Sequence, residues 1–286
     1  MNIRSNPRIL KSEVVEVAPQ VEVYRPFPVR AIKKIGPFIL WDHFGPKEAR
    51  PNDNMVVPPH PHAGFQAVTY LFSGLGYHKD SFAGEQYMKA GGVNWMTAGK
   101  GIVHAEQVLG EKEDGSGPYE GFQIWVNLPA AYKEVDPGFE HFRPEELPVV
   151  NFEGGSLRII AGQYIDVKSP VHTYSPLFLM HLSLKAGAKW EMEVPSSFEV
   201  AAYVGSGEVK SGKEVSSLKL SDVLLYHEGE GGIELQALED SEIMLMGGEL
   251  IREPMATYGP FVMNQPDEIR AKILAFQNGQ MGMVEM

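Results

Sequence analysis

Apolar and polar side chains alternate with a period of two through most of the chain. The runs are short and cut by Gly, Pro and Asp, the pattern of strands with one buried face. Residues 65–72 read Phe-Gln-Ala-Val-Thr-Tyr-Leu-Phe, and Ser73-Gly74-Leu75-Gly76 turns the chain back through residues 77–81. Further short strands are predicted over 85–88, 93–96, 102–106 and 122–127. A meander of this kind predicts an all-β barrel or sandwich. A second β-rich block follows. Phe178, Met180, Leu182 and Leu184 alternate with Leu179, His181, Ser183 and Lys185, and Trp190, Met192 and Val194 alternate with Lys189, Glu191 and Glu193. Runs at 200–204, 218–220, 223–226, 233–237 and 243–246 continue the series, with Gly-rich turns at 205–207 and 229–232. Residues 128–148 read as loop with weak helical turns and form the expected linker. The expected organisation is all-β, with two β-barrels in tandem over 1–135 and 136–286 and no residue-level repeat between them.

The C-terminus breaks this pattern. Asn264-Gln265-Pro266-Asp267-Glu268 predicts a helix start, with Asn264 as N-cap and acids in the first turn. Ile269, Ile273 and Phe276 recur at i, i+4 and i+7 as one apolar face, and Asn278-Gly279 ends the helix. So short a helix needs a tertiary partner, so its apolar face is expected to dock on a barrel.

Composition narrows the function. The 286 residues include no Cys, which excludes disulfides, thiolate metal sites, iron–sulfur clusters and cysteine nucleophiles. The formal net charge of −12 argues against a nucleic-acid groove or an anionic membrane as main partner. No run approaches the roughly 18 apolar residues that span a bilayer, and no apolar h-region follows the N-terminus. A cytoplasmic location is expected. No G-x-G-x-x-G opens a helix, and neither a phosphate-binding G-x-x-x-x-G-K-[ST] nor a G-x-S-x-G elbow occurs. Gly99-Lys100-Gly101 reads as a turn, and Glu111, Glu113 and Asp114 as a solvated acidic loop.

The candidate chemistry lies in His60-Pro61-His62 and His104-Ala105-Glu106. On a strand, residues i and i+2 point to one face, so each pair presents two donors in one direction. The meander between them folds the two pairs side by side. Three imidazoles and a carboxylate then converge inside a barrel, a donor set suited to one divalent first-row ion. Four protein ligands leave up to two octahedral positions open. His78, His141, His172 and His227 are expected to be structural or surface residues, and His181 a satisfied core or rim histidine. His43, beside Asp42, is a weaker candidate for an outer-shell role. Phe44, Tyr70, Trp95 and Trp125 are candidates for an apolar entrance, with core packing the competing role.

The same residues carry a family resemblance. Pro59-His60-Pro61-His62, the run Trp95-Met96-Thr97-Ala98-Gly99-Lys100-Gly101-Ile102-Val103-His104-Ala105-Glu106, and Gln123-Ile124-Trp125-Val126-Asn127-Leu128 resemble the pirin family. So do Trp41-Asp42-His43-Phe44-Gly45-Pro46 and Gly259-Pro260-Phe261-Val262-Met263-Asn264. The resemblance implies two cupin barrels of jelly-roll type, with the C-terminal segment packing back. It also implies one metal, typically iron as Fe(II), in the N-terminal barrel on His60, His62, His104 and Glu106, with a metal-free second barrel. Ni, Zn, Mn, Co or Cu are the alternatives. One stretch departs from the pattern: family members commonly read H-P-H-R-G-x-E-T, and here Ala63, Gln66 and Ala67 stand for the Arg, Glu and Thr.

The resemblance further implies a quercetin 2,3-dioxygenase-like oxidoreductase. Its substrates would be a small aromatic flavonol and O2, with CO released and Glu106 as catalytic base. Two alternatives stand beside it. One is a redox-responsive regulatory protein that binds a transcription factor or a metabolic enzyme as its protein partner, without direct nucleic-acid contact. The other is different metal chemistry on the same fold, an isomerase or lyase.

Overall fold

The computed structural model describes residues 2–18, 21–51, 55–212 and 217–285. It is built almost entirely of antiparallel strands, and no helix among the described residues is long and apolar enough to cross a membrane. The chain forms two units that do not follow one another in sequence. One comprises Val14–Val23, Phe38–Glu146 and Ile251–Met286; the other comprises Met1–Glu13, Tyr24–Pro37 and Leu147–Leu250.

This division differs from the expected boundary at 135, for three reasons of pairing and packing. Within the expected linker, the strand Gly138–Phe142 pairs with Val93–Thr97, adding an edge to the first unit's sheet. The N-terminal strand Arg8–Lys11 pairs instead with Asp222–Tyr226 of the second unit. Ahead of it, the buried Arg4 guanidinium donates to the carbonyls of Phe198 at 2.7 Å and Pro195 at 2.6 Å. Lastly, the C-terminal segment contributes Phe261, Met263, Ile269 and Met281 to one buried cluster with Ala63 and Val103 of the first unit.

A seven-stranded sheet, most of it in that first unit, runs in the order Gly138–Phe142, Val93–Thr97, Phe65–Ser73, Gly117–Asn127, Phe38–Ala49, Val21–Phe27, Glu13–Ala18. A four-stranded sheet runs in the order Met55–His62, Ile102–Leu109, Leu75–Asp80, Gly84–Lys89. The predicted turn at residue 74 has a physical cause: Gly74 has φ +92°, and a Cβ there would lie 2.6 Å from the carbonyl oxygen of Leu109.

The second unit repeats the architecture. Its seven-stranded sheet runs Arg8–Lys11, Asp222–Tyr226, Phe198–Ser206, Ser241–Glu249, Leu177–Leu184, Gly155–Ala161, Val149–Phe152, beside a four-stranded sheet. Its core holds the predicted alternating residues Phe178, Met180, Leu182, Leu184, Trp190, Met192 and Val194. The simple alternation is incomplete, because Leu179 on the opposite face is also fully buried.

The C-terminal helix spans Pro266–Gln277. Its N-cap is Gln265 rather than Asn264, because Glu268 reaches back to accept from the Gln265 and Asn264 amides at 2.8 and 2.9 Å. Ile269 is buried and Ile273 packs beside it, but Phe276 is exposed, so the docked face is narrower than the spacing predicts. The buried Lys272 extends that face, with Nζ donating to the carbonyl of Lys100 at 2.9 Å.

Candidate metal centre

The strands Met55–His62 and Ile102–Leu109 are antiparallel neighbours, with His104 opposite His60 and Ile102 opposite His62. The period of two turns His60 and His62 to one face, and the pairing lays His104 over them. His60 Nε2 lies 3.0 Å from both His62 Nε2 and His104 Nε2. The three ring centroids are 4.4 to 4.8 Å apart. His62 and His104 are buried and His60 is half-buried.

The outward nitrogens fix which atoms face inward. His60 Nδ1 lies 2.8 Å from the Pro58 carbonyl and His62 Nδ1 3.3 Å from the Pro260 carbonyl. A carbonyl only accepts, so each Nδ1 carries the proton and each Nε2 lone pair points into the cluster. Burial first, and the neighbouring imidazoles second, push the pKa values of His62 and His104 well below the ordinary range. Both rings are therefore neutral at pH 7, the form that ligates a cation. Lone pairs converging on one point repel unless a cation sits between them, so this donor set fits a divalent ion.

Glu106 follows a register shift between His104 and Glu106 in the same ladder. Its Oε1 accepts from Thr69 Oγ1 and its Oε2 from Gln123 Nε2, both at 2.6 Å. His78 Nδ1 stands 4.0 Å from Oε1. Burial opposes ionisation of Glu106, but His78 and the Thr69 hydrogen bond outweigh it and hold the carboxyl below its ordinary range. His78 Nε2 pairs with Asp80 Oδ2 at 2.8 Å, and Asp80 Oδ1 accepts from the Phe82 and Ala83 amides at 2.7 and 2.5 Å. The donors thus form two overlapping groups, His60–His62–His104 and His78–His104–Glu106, joined by His104.

Three of the four sequence candidates meet directly, and Glu106 adjoins them through His104. His78 corrects the sequence reading. It is buried within the site and stacked on Phe139 with centroids 4.3 Å apart. Its signal was present in the sequence, since His78 and Asp80 share the same i, i+2 spacing as the other pairs. Thr69 and Gln123 carried no such signal. The other histidines lie in neither donor group: His141 Nδ1 contacts Asn94, His181 Nε2 contacts Glu242, His227 Nδ1 contacts Glu199, and His43 Nε2 contacts Glu120.

Of the four aromatic candidates, Phe44, Tyr70 and Trp95 are core residues, while Trp125 lies 5.2 Å from the His62 ring and 4.3 Å from Phe65. The three departures from the common pattern also find places. Gln66 donates from Nε2 to Thr97 Oγ1 at 2.9 Å and stands outside both donor groups. Ala63 joins the cluster of Phe261 and Met263, and Ala67 packs with Phe65 and Met96.

Comparison with known proteins places this architecture. Residues 20–126 match the Pirin family and residues 179–282 match the Pirin C-terminal cupin domain. A pirin-like protein of Caulobacter vibrioides is 37% identical over 270 residues, covering 93% of this chain and 91% of the relative. The chain belongs to the pirin family. Human pirin is 35% identical over 255 residues, covering 88% of this pirin and 84% of the human protein. Among solved structures, a quercetin 2,3-dioxygenase from Acinetobacter baumannii superposes with a TM-score of 0.92 at 31% identity, covering 99% of this pirin and all of that chain. The expected all-β bicupin with a short C-terminal helix is the observed fold.

Proposed function

We propose that this pirin is a dioxygenase of the quercetin 2,3-dioxygenase type, holding one divalent transition metal, Fe(II) foremost, on His60, His62, His104 and Glu106. The carrying observation is the convergence of three Nε2 atoms, two of them with their lone pairs fixed inward, beside an ionised, doubly hydrogen-bonded carboxylate. The likeness to the Acinetobacter baumannii enzyme supports the substrate class.

A bound ion supplies Lewis acidity and open positions for substrate and O2. The chain supplies the rest. Glu106 takes the proton of the flavonol 3-hydroxyl on a carboxylate oxygen. Thr69 and Gln123 hold that carboxylate in place, so its orientation is set before substrate arrives. Phe65, Trp125 and Phe139 surround the imidazoles with apolar surface suited to a planar aromatic ring.

The test is anaerobic purification and elemental analysis, followed by O2 uptake and CO release with quercetin, beside His104→Ala. One metal per chain with both gas signals, each lost in the variant, is the expected outcome. One metal per chain without turnover rejects the dioxygenase reading and makes partner capture the next experiment.

A further inference from the structure

The stretch that follows the second barrel in sequence stands directly behind the metal strands. Its hairpin pairs Ala256–Tyr258 with Phe261–Met263, and its turn carries Pro260, whose carbonyl faces His62 Nδ1. The Val262 amide donates to the Ala63 carbonyl at 3.0 Å. At Gly64, with φ +84°, a Cβ would lie 1.9 Å from the Val262 carbonyl oxygen, so only glycine permits this approach.

Lys133 closes the contact. Its side chain is buried, and Nζ donates to Gly64 O at 2.8 Å, Val262 O at 3.0 Å and Asn127 Oδ1 at 2.7 Å. All three ammonium hydrogens are thus used, and all three acceptors are neutral oxygens. Burial pulls the lysine pKa down to about 8, which leaves the ammonium predominant at pH 7. One cation therefore ties the backbone just after His62 to the hairpin that orients His62.

We infer that Lys133 is a positioning residue of the metal centre: by joining Gly64 to Val262 it sets the Pro260 carbonyl against His62 Nδ1, and so couples metal binding to docking of the 256–263 hairpin. The inference rests on the metal reading of the same site. The physical link is the tautomer. A docked hairpin keeps the His62 proton on Nδ1 and the ring in the orientation that presents Nε2, and an outer-shell partner of this kind is worth about 10–100-fold in metal affinity. Linkage makes the effect reciprocal, so a bound metal holds the hairpin down by the same factor.

The test uses the full chain, stripped by chelation and titrated with Co(II) alone. Dissociation constants and Co(II) d–d absorption are read, with hydrogen exchange at 256–263 measured in the presence and absence of Co(II). Lys133→Met is expected to weaken Co(II) binding about 10–100-fold and to shift the d–d bands. Lys272→Met, which frees the helix but leaves the hairpin bonds, is expected to keep wild-type affinity within about twofold, well below that outer-shell effect. In the wild type, Co(II) slows exchange at 256–263 more than in the Leu177–Leu184 strand of the other unit. Wild-type affinity and spectrum in Lys133→Met overturn the inference. If that variant does not fold, equal exchange at 256–263 with and without Co(II) in the wild type overturns it instead. A wild type that takes up no Co(II) rejects the metal reading itself, and the inference with it.

Discussion

Glu106 is the residue on which the proposed chemistry turns, and its neighbours separate its two roles. Glu106→Gln keeps an oxygen for the metal side but removes the base. Metal content is expected to fall only partly while quercetin turnover drops about 100-fold or more; elemental analysis and O2 uptake on the same sample check this. Asp80 and His78 give a second residue-scale prediction, in stability. Burial opposes the His78 charge, but Asp80 and Glu106 outweigh it and raise its pKa above the ordinary 6.5. Burial likewise opposes the Asp80 charge, but His78 and the Ala83 and Phe82 amides lower its pKa below the ordinary 3.8. The His78 contribution is full below 6.5 and is lost as pH rises through the raised value. The Asp80 contribution is present above 3.8 and is lost as pH falls through the lowered value. Urea unfolding of the metal-free protein is expected to show the His78 contribution falling as pH rises from 6.5 towards 8, below the range in which Lys133 loses its proton and acts in the opposite sense, and Asp80→Asn to flatten that fall and to cost about 3 kcal/mol at pH 6. The two candidate donor pairs were legible because each is local, two residues on one strand. Thr69, Gln123 and the reach of His78 depend on which strands become neighbours, which spacing within one strand does not encode.

At the scale of elements, the strands were legible because their burial follows the period of two. Where both faces are covered, as at Leu179, the alternation fades and the sequence under-reports the core. The C-terminal helix shows the opposite error. Its spacing suggests three docked residues, and only Ile269 and Ile273 pack. This separates two substitutions. Ile269→Ala is expected to cost about 2–4 kcal/mol, as for a buried aliphatic side chain. Phe276→Ala, at 40% exposure, is expected to cost under about 1 kcal/mol. Paired chemical denaturation curves decide between this ranking and the reverse.

At the scale of the molecule, the sequence showed two barrels but not how the chain shares itself between them. Gly138–Phe142 lies in the stretch read as a loop and Arg8–Lys11 in one where no strand is predicted, and neither carries a local signal for the partner it pairs with. The sharing has a measurable result. A chain cut after Leu250 lacks the hairpin, the helix and Met281, and leaves Ala63 and Val103 without their apolar partners. Such a chain is expected to bind an apolar dye and to retain about a tenth or less of the wild-type metal; fluorescence and elemental analysis read both.

The placement of Pro260 bears on when the His62 environment is completed during synthesis. His62 and the carbonyl that orients it are 198 positions apart. At 5–20 residues per second, a ribosome needs roughly 10–40 s to cover that distance. The nascent first barrel therefore emerges with its histidines made but one of them unoriented, and stays so until translation has passed the second barrel. On the proposed metal reading, a divalent ion captured by a half-made chain is therefore held about 10–100-fold more weakly than by the finished one.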